Sequence, residues 1–413
     1  MACQFYRRCR HHSLTPKAPL TIADTPPLCF GKSTTEAAAI QGIIAKWLEV
    51  AVASVALAPY SRSLLGLGRM YMLESVQLGN SGLSVSRLCL GTMNFGEPGR
   101  GHQGDWTLTL DESRPIFKAA LDNGLFYFDC ANVYGLGACE QVVGQLLREL
   151  LPRDQYVLST KVSGPMGKNP NQGGLSRKHI MEGVDACLQR LGLDYVDQLI
   201  IHRHPHGRPG WACPTIEETM EALHDVVKAG KALYIGGSSM FAWQFTELQM
   251  TAERHGWTKF ISMQNHYNLI YREEEREMNP YCASTGVALT PWSPLARGIL
   301  TGSYNGTLDG GTTARSQGAD RERTEGLYRG EMDFKIADRV IEVAKNLGHT
   351  PAQIAIAWLL SKPEITAPVI GVSKISQLEQ LVAATAITLD EEDVNYLEEL
   401  YRPVENLLNI GTS

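Results

Sequence analysis

Eight short apolar runs rich in β-branched and aromatic residues recur from residue 86 onward: Arg87–Gly91, Leu125–Asp129, Tyr156–Lys161, Val196–His202, Ala232–Gly236, Phe260–Gln264, Val287–Trp292 and Ala367–Gly371. Helical patterns separate them at Asp111–Asn123, Glu140–Leu150, Ser176–Leu191, Thr215–Ala229, Ala242–His255 and Glu273–Ser284. Glycine follows several of these, as in Asn123-Gly124, Ala229-Gly230, His255-Gly256 and Thr285-Gly286, which is a helix stop. Strands apolar on both faces, each followed by a helix, imply a parallel sheet covered on both sides. Eight such units in about 300 residues fit a closed (β/α)₈ TIM barrel better than an open doubly wound sheet.

Two pieces lie outside a bare barrel. Val76–Ser86 alternates around an Asn80-Ser81-Gly82 turn, so it predicts an N-terminal β-hairpin ahead of the first strand. Between Trp292 and Ala367 a Gly-, Thr- and Arg-rich stretch, Leu300–Gly330, precedes two extra helices, Asp333–Leu347 and Pro351–Leu360. A connection that long inside a compact domain reads as a functional lid.

Residues 73–413 therefore form the barrel, and residues 1–72 an N-terminal extension, disordered or partly helical. The extension carries eight Lys/Arg against three Asp/Glu, while the remainder carries 30 against 41. Pro16, Pro19, Pro26 and Pro27 would break a targeting helix. Lys46 and Glu49 interrupt the apolar run at 36–58, which argues against a membrane span. The net charge of -6 argues against a nucleic-acid binder. The nine cysteines show no C-x-x-C pair, which reads as reduced thiols in a cytoplasmic protein.

In such a barrel the reacting groups project from the C-terminal strand ends. The second strand ends in Asp129, with Tyr134 five residues on; the third ends in Lys161 and the fourth in His202. Tyrosine is a poor acid unless a nearby cation lowers its pKa. Lys161 would supply that cation, Asp129 would hold Lys161 in place, and His202 would hydrogen-bond a carbonyl oxygen. A buried Asp–Lys pair or a loop tyrosine taken singly reads as structural. All four at consecutive strand ends rarely arise by chance.

The motifs carrying these residues resemble the aldo-keto reductase family: Gly91-Thr92-Met93-Asn94, Asp129-Cys-Ala-Asn-Val-Tyr134-Gly, Ser159-Thr-Lys161 and Ile200-Ile-His202-Arg203. So do Gly237-Ser238-Ser239-Met240, Gln264-Asn-His-Tyr267-Asn and Trp292-Ser-Pro-Leu295-Ala-Arg297-Gly298. The resemblance spans residues 73–405 and is nearest to the fungal branch of aryl-alcohol dehydrogenases and versiconal hemiacetal acetate reductase. It implies reversible, NADPH-dependent reduction of an aromatic or polyketide-derived aldehyde or ketone, as in secondary metabolism. Asp129, Tyr134, Lys161 and His202 would be the catalytic tetrad, with Tyr134 as general acid.

For the cofactor, the resemblance implies contacts from Gly91, Thr92 and Met93. Ser238, Ser239 and Gln264 would hold the nicotinamide carboxamide, and Trp292 would stack on the ring. Ser293, Leu295, Arg297 and Gly298 would meet the pyrophosphate, and Gly371, Ser373, Lys374 and Gln377 the adenosine 2′-phosphate. Lys374 stands where the family usually has Arg, and Leu381 where it has the Asn that meets adenine. The loop Arg203–Trp211 departs from the shorter stretch of close relatives and borders the substrate pocket. Its His202-x-His204-x-His206 spacing suggests a metal site, but the implied mechanism needs His202 free, so no metal is expected. The expected partner is the small carbonyl substrate alone, with the chain a monomer or weak homo-oligomer. A second reading from the same fold is a nucleotide-sensing subunit resembling potassium-channel β-subunits.

Overall fold

The computed structural model describes residues 73–403, apart from His102, Pro209, Gly210, Asn305, Ala319 and Arg329. The expected extension over residues 1–72 lies outside them. The alternating residues of the predicted hairpin form β1 (Ser75–Gln77) and β2 (Ser84–Ser86), paired antiparallel with Val76 opposite Val85. Its turn places Gly79, rather than Gly82, in the left-handed region at φ +63. A Cβ on Gly79 would lie 2.6 Å from the Gly286 carbonyl oxygen, and the Asn80 amide donates to that same oxygen at 2.8 Å. Leu78 and Val85 are fully buried against Tyr127, Val157 and Ala367, so the hairpin seals the floor beneath the strands.

The eight barrel strands are β3 (Cys89–Gly91), β4 (Tyr127–Asp129), β5 (Val157–Val162), β6 (Val196–Ile201), β7 (Ala232–Ser238), β8 (Phe260–Gln264), β9 (Ala288–Leu289) and β10 (Val369–Ile370). They run parallel in the order β10-β3-β4-β5-β6-β7-β8-β9. Closure between β9 and β10 comes from a parallel bridge, Leu289 to Ile365, and from the Val369 amide donating to the Pro291 carbonyl at 2.9 Å. Both strands are shorter than the apolar runs predict. Pro291 and Pro368 have no N–H to give the ladder, so each strand stops beside its proline.

Helices follow the capping signals. α1 (Leu110–Asp122) starts behind Thr109, whose amide donates to Glu112 at 2.9 Å. α2 (Ala138–Leu150) follows the turn after β4. α3 (Arg177–Leu191) is capped by Ser176 and ends at left-handed Gly192, and α4 (Ile216–Lys228) is capped by Thr215. α5 (Ala242–His255) has the predicted bounds. The predicted Glu273–Ser284 helix is instead a 3₁₀ turn, Glu273–Glu275, and a shorter α6 (Met278–Thr285). The acidic first turn is drawn elsewhere: Glu275 pairs with Arg272, and Glu273 accepts from the Tyr401 hydroxyl at 2.6 Å.

The lid segment holds two short helices, α7 (Ala314–Gln317) and α8 (Arg321–Leu327). α9 (Glu331–Leu347) and α10 (Pro351–Ser361) come next, then α11 (Ile375–Ala383) and α12 (Glu391–Glu398) after β10. Both helices predicted after the lid segment are present, as α9 and α10. α12 is a further helix after α11, and its end grips α9 through Arg339–Glu399 and a Tyr396 hydroxyl donating to Glu342 at 2.6 Å.

α2 and α3 approach closely at Gly144, where a Cβ would sit 2.2 Å from the Leu191 carbonyl oxygen. Gly144→Ala should therefore destabilise the protein by about 1–2 kcal/mol, overpacking outweighing the gain in helix propensity. A lower urea midpoint is expected; an unchanged or raised midpoint would show that the helices separate freely.

Candidate active site

β4 and β5 pair with Asp129 opposite Ser159, which puts Lys161 two residues further along the same face of its strand. The Asp129 carboxylate accepts from Ser159 Oγ at 2.6 Å and from Lys161 Nζ, and Lys161 also donates to the Cys130 carbonyl at 2.8 Å. Both charged groups are sealed from water. Burial opposes the Lys161 charge, but Asp129, reinforced by Tyr134, more than offsets it and holds the ammonium above its ordinary value.

Tyr134 opens the tight turn Tyr134–Gly137, in which Gly135, Leu136 and Gly137 all have positive φ. A Cβ on Gly137 would lie 2.4 Å from Arg190 Cδ, so this Gly-x-Gly serves a close turn and a close approach. The turn brings the Tyr134 ring to 5.2 Å from Lys161 Nζ and edge-on to His202, with ring centroids 5.7 Å apart. Burial pushes the Tyr134 phenol up, and Lys161 and Arg203 only partly pull it back. The cation therefore moderates the phenol without bringing it below its ordinary value, and Tyr134 keeps its proton at neutral pH. His202 is pushed well below the ordinary histidine value by burial, then by Arg203 and Lys161, so its imidazole is neutral. A protonated phenol and a neutral imidazole beside a fixed ammonium can receive and protonate a carbonyl oxygen.

The ends of β7, β8 and β9 bring a second group together. Ser238 Oγ donates to the Gln264 carbonyl at 2.8 Å and accepts from Arg203 at 3.0 Å. Trp292 Nε1 donates to Ser239 Oγ at 2.8 Å. The Gln264 side-chain nitrogen is buried with no partner among the described residues. That orphaned donor fits an amide-bearing ring such as nicotinamide. Trp292 stacks on His266 (centroids 4.1 Å, 9° between planes), and His266 stacks in turn on Tyr271 at 4.2 Å. His266 Nε2 hydrogen-bonds the Tyr328 hydroxyl at 2.7 Å, and burial holds this imidazole neutral too.

The turn after Trp292 contains Ser293, Ala296 and Arg297 at φ +54, +47 and +56, with Gly298 at +103. Non-glycine residues pay for that conformation, and such strain collects at ligand sites. Leu295 is half-buried there. The Arg297 side chain is committed to the lid: it pairs with buried Asp320 and donates to Thr324 Oγ1 at 3.1 Å.

Gly91 ends β3. Thr92 is fully buried, donating from Oγ1 to the Asp129 carbonyl at 2.9 Å, so it steadies the tetrad strand. Met93 is half-buried, and its carbonyl accepts from Gln103. Past β10, Gly371, Ser373, Lys374 and Gln377 are exposed. Gln377 Oε1 accepts from the amides of Ser373 at 2.8 Å and Lys374 at 3.2 Å, capping α11 and leaving the lysine side chain outward. Leu381 is buried in the core.

In the loop after β6, His204 Nδ1 accepts from the His206 amide at 3.2 Å. No group of three His, Cys, Asp or Glu side chains among the described residues has metal-binding geometry. Ser159, Arg203 and His266 lie inside the motifs read from the sequence but carried no role there, and Asp320 and Tyr328 were not singled out. Ser159 was legible from its two-residue spacing to Lys161, and Arg203 and His266 from their neighbours His202 and Gln264; Asp320 and Tyr328 lie far from the strand ends in sequence and meet them only in the fold.

The fold and these strand-end groups define a barrel oxidoreductase. The aldo/keto reductase family model matches residues 87–402, and the chain belongs to that family. It is 43% identical over 351 residues to versiconal hemiacetal acetate reductase of Aspergillus parasiticus, covering 80% of this chain and 98% of that one. A Schizosaccharomyces pombe protein provisionally named an aryl-alcohol dehydrogenase is 44% identical over 356 residues, covering 79% and 95%. An aldo-keto reductase of Alternaria alternata is 40% identical over 356 residues, covering 79% and 91%.

The lowered values of His202 and His266 have a definite sign. Below the ordinary histidine value of about 6.5 the unfolded chain takes protons that the folded imidazoles refuse, so their contribution to stability fades as pH falls. Buried Glu274, pushed up to about 8 by loss of hydration, acts in the opposite sense over the same range. The bulk stability curve mixes the two, so the check is site-specific. In ¹³C-histidine-labelled protein the His202 and His266 ring resonances should stay constant from pH 8 to 5.5. A midpoint near 6.5 for either would contradict the neutral imidazoles.

Proposed function

We propose that the protein reduces an aldehyde or ketone to the alcohol, reversibly, with NADPH. The observation that carries this reading is the Tyr134 phenol, set over Lys161 and edge-on to His202 at the mouth of the barrel. Gln264 and Ser238 hold the nicotinamide carboxamide, the first through its orphaned amide nitrogen. Trp292, its other face backed by His266, presents a flat surface to the ring. The bound cofactor supplies the hydride, and the barrel supplies position and field.

The chain's own groups handle the oxygen. The substrate carbonyl accepts hydrogen bonds from the Tyr134 hydroxyl and from the His202 imidazole, whose neutral form leaves a nitrogen free to accept from a neighbour. Tyr134 transfers its proton as charge develops on the oxygen. Lys161, kept charged by Asp129, stabilises the phenolate left behind, and in the oxidation direction that phenolate is the base. The relatives named as an aryl-alcohol dehydrogenase and a hemiacetal acetate reductase support an aromatic or polyketide-derived substrate. Lys374, exposed beside Ser373, neutralises the 2′-phosphate. We read residues 73–413 as the catalytic unit, 1–72 as an accessory extension, and the chain as a cytoplasmic monomer or weak homo-oligomer. All six described cysteines being free agrees with that compartment, and no described helix is long and apolar enough to cross a membrane.

Tyr134→Phe should lower kcat for an aromatic aldehyde by roughly 10²–10⁴-fold while NADPH binding, followed by fluorescence, stays nearly unchanged. Near-normal turnover would remove Tyr134 from the acid role.

Lys374→Met should weaken NADPH about tenfold, some 1.4 kcal/mol, and leave NADH affinity as it was. Equal affinity of the unaltered protein for both cofactors would overturn the assignment.

A further inference from the structure

β5 is gripped on both of its faces. Ser159 and Lys161 point to Asp129 on the barrel side, so Thr160 between them points outward to the helices. There its Oγ1 donates to Glu140 Oε1 at 2.6 Å. The other oxygen of that carboxylate accepts from Arg190 Nε, on α3, at 2.6 Å. Glu140 is fully buried in the first turn of α2, and Thr160 is buried with it. A carboxylate closed off in this way is held by its two donors and by the positive end of its helix, and not by water. None of these three residues is among those that the reductase reading assigns to substrate or cofactor.

Arg190 connects this carboxylate to the turn that carries Tyr134. A Cβ on Gly137 would fall 2.6 Å from Arg190 Nε, the same nitrogen that donates to Glu140. The turn needs such a buttress. Gly135, Leu136 and Gly137 stand in the left-handed region in succession, at φ +55, +48 and +94, and Leu136 is 37% exposed. A non-glycine residue keeps that conformation only where its surroundings over-determine it. Glu140 therefore sits between the two halves of the proton donor. Through Thr160 it reaches the residue next to Lys161, and through Arg190 it reaches the turn that opens with Tyr134.

We propose that Glu140 is a positioning residue for the proton transfer: with Thr160 and Arg190 it fixes Tyr134 relative to Lys161, the ring centroid 5.2 Å from Nζ, without touching the substrate. This inference rests on the reductase reading and adds a residue to it. A misplacement of about 1 Å in a reacting group can cost about 10²-fold in rate, even when its cause lies away from the chemistry. Loosening the clamp therefore lowers kcat. It spares NADPH binding, because the proposed ring contacts Ser238, Gln264 and Trp292 belong to other strand ends.

Thr160→Val removes one hydroxyl and keeps the side-chain shape. It should lower kcat for 4-nitrobenzaldehyde by roughly tenfold with KM for NADPH unchanged, and Thr160→Ser, which keeps the hydroxyl, should retain most of the activity. Arg190→Met should repeat the loss from the turn side. It leaves a buried carboxylate unpaired, so its fold is checked by circular dichroism, and Thr160→Val carries the test where it does not fold. A second measurement needs no turnover. In protein labelled with ¹³Cζ-tyrosine, the Tyr134 resonance, identified by its loss in Tyr134→Phe, should shift in Thr160→Val and stay in place in Thr160→Ser. That pattern in a protein that reduces no aldehyde supports the inference, and then it is the reductase reading that fails. An unmoved resonance in Thr160→Val overturns the inference and leaves that reading standing. So does an unchanged kcat, a serine variant as impaired as the valine one, or a loss that falls on KM for NADPH.

Discussion

A lysine ammonium and an aspartate carboxylate, both closed off from water, are affordable only together. Separating Lys161 from Asp129 would strand a buried charge at a cost of about 3–5 kcal/mol. Their pairing is possible in one register of β4 and β5, with Asp129 opposite Ser159. A slip of one residue would turn Lys161 to the opposite face of its strand. Ser159 fills another acceptor site on the carboxylate, and buried Thr92 holds the Asp129 backbone from β3. The most demanding electrostatic contact thus fixes three adjacent strands and sets the charge over which Tyr134 is placed.

A second, uncharged assembly carries the other half of the mouth. The Trp292–His266–Tyr271 stack is built around an imidazole that burial keeps neutral, its Nε2 sharing a hydrogen bond with the Tyr328 hydroxyl. Tyr328 follows α8, and Arg297 binds Asp320 and Thr324 at the other end of that helix. The C-terminal part of the Gly- and Thr-rich segment is therefore held at two points, by Arg297 on the loop after β9 and by His266 after β8.

Much of this was legible in the sequence. The eight runs were strands, the hairpin was a hairpin, and Asp129, Tyr134, Lys161 and His202 converge because a parallel barrel points all its strand ends one way. The errors have local causes. Strands beside Pro291 and Pro368 are cut short for want of an N–H. The acidic Glu273–Glu275 turn left its helix for Arg272 and Tyr401, partners that lie respectively next to it and more than a hundred residues away.

The sequence by itself determined the order of the elements, because period and capping are local properties. It also located the Lys161–Asp129 ion pair and the tyrosine beside it, because strand ends can be counted. Only the tertiary structure decided the electrostatics. Burial raised Tyr134 despite Lys161 and held His202 and His266 neutral. Desolvation and charge–charge energies depend on distances between residues that the chain places far apart, and no local pattern contains those distances.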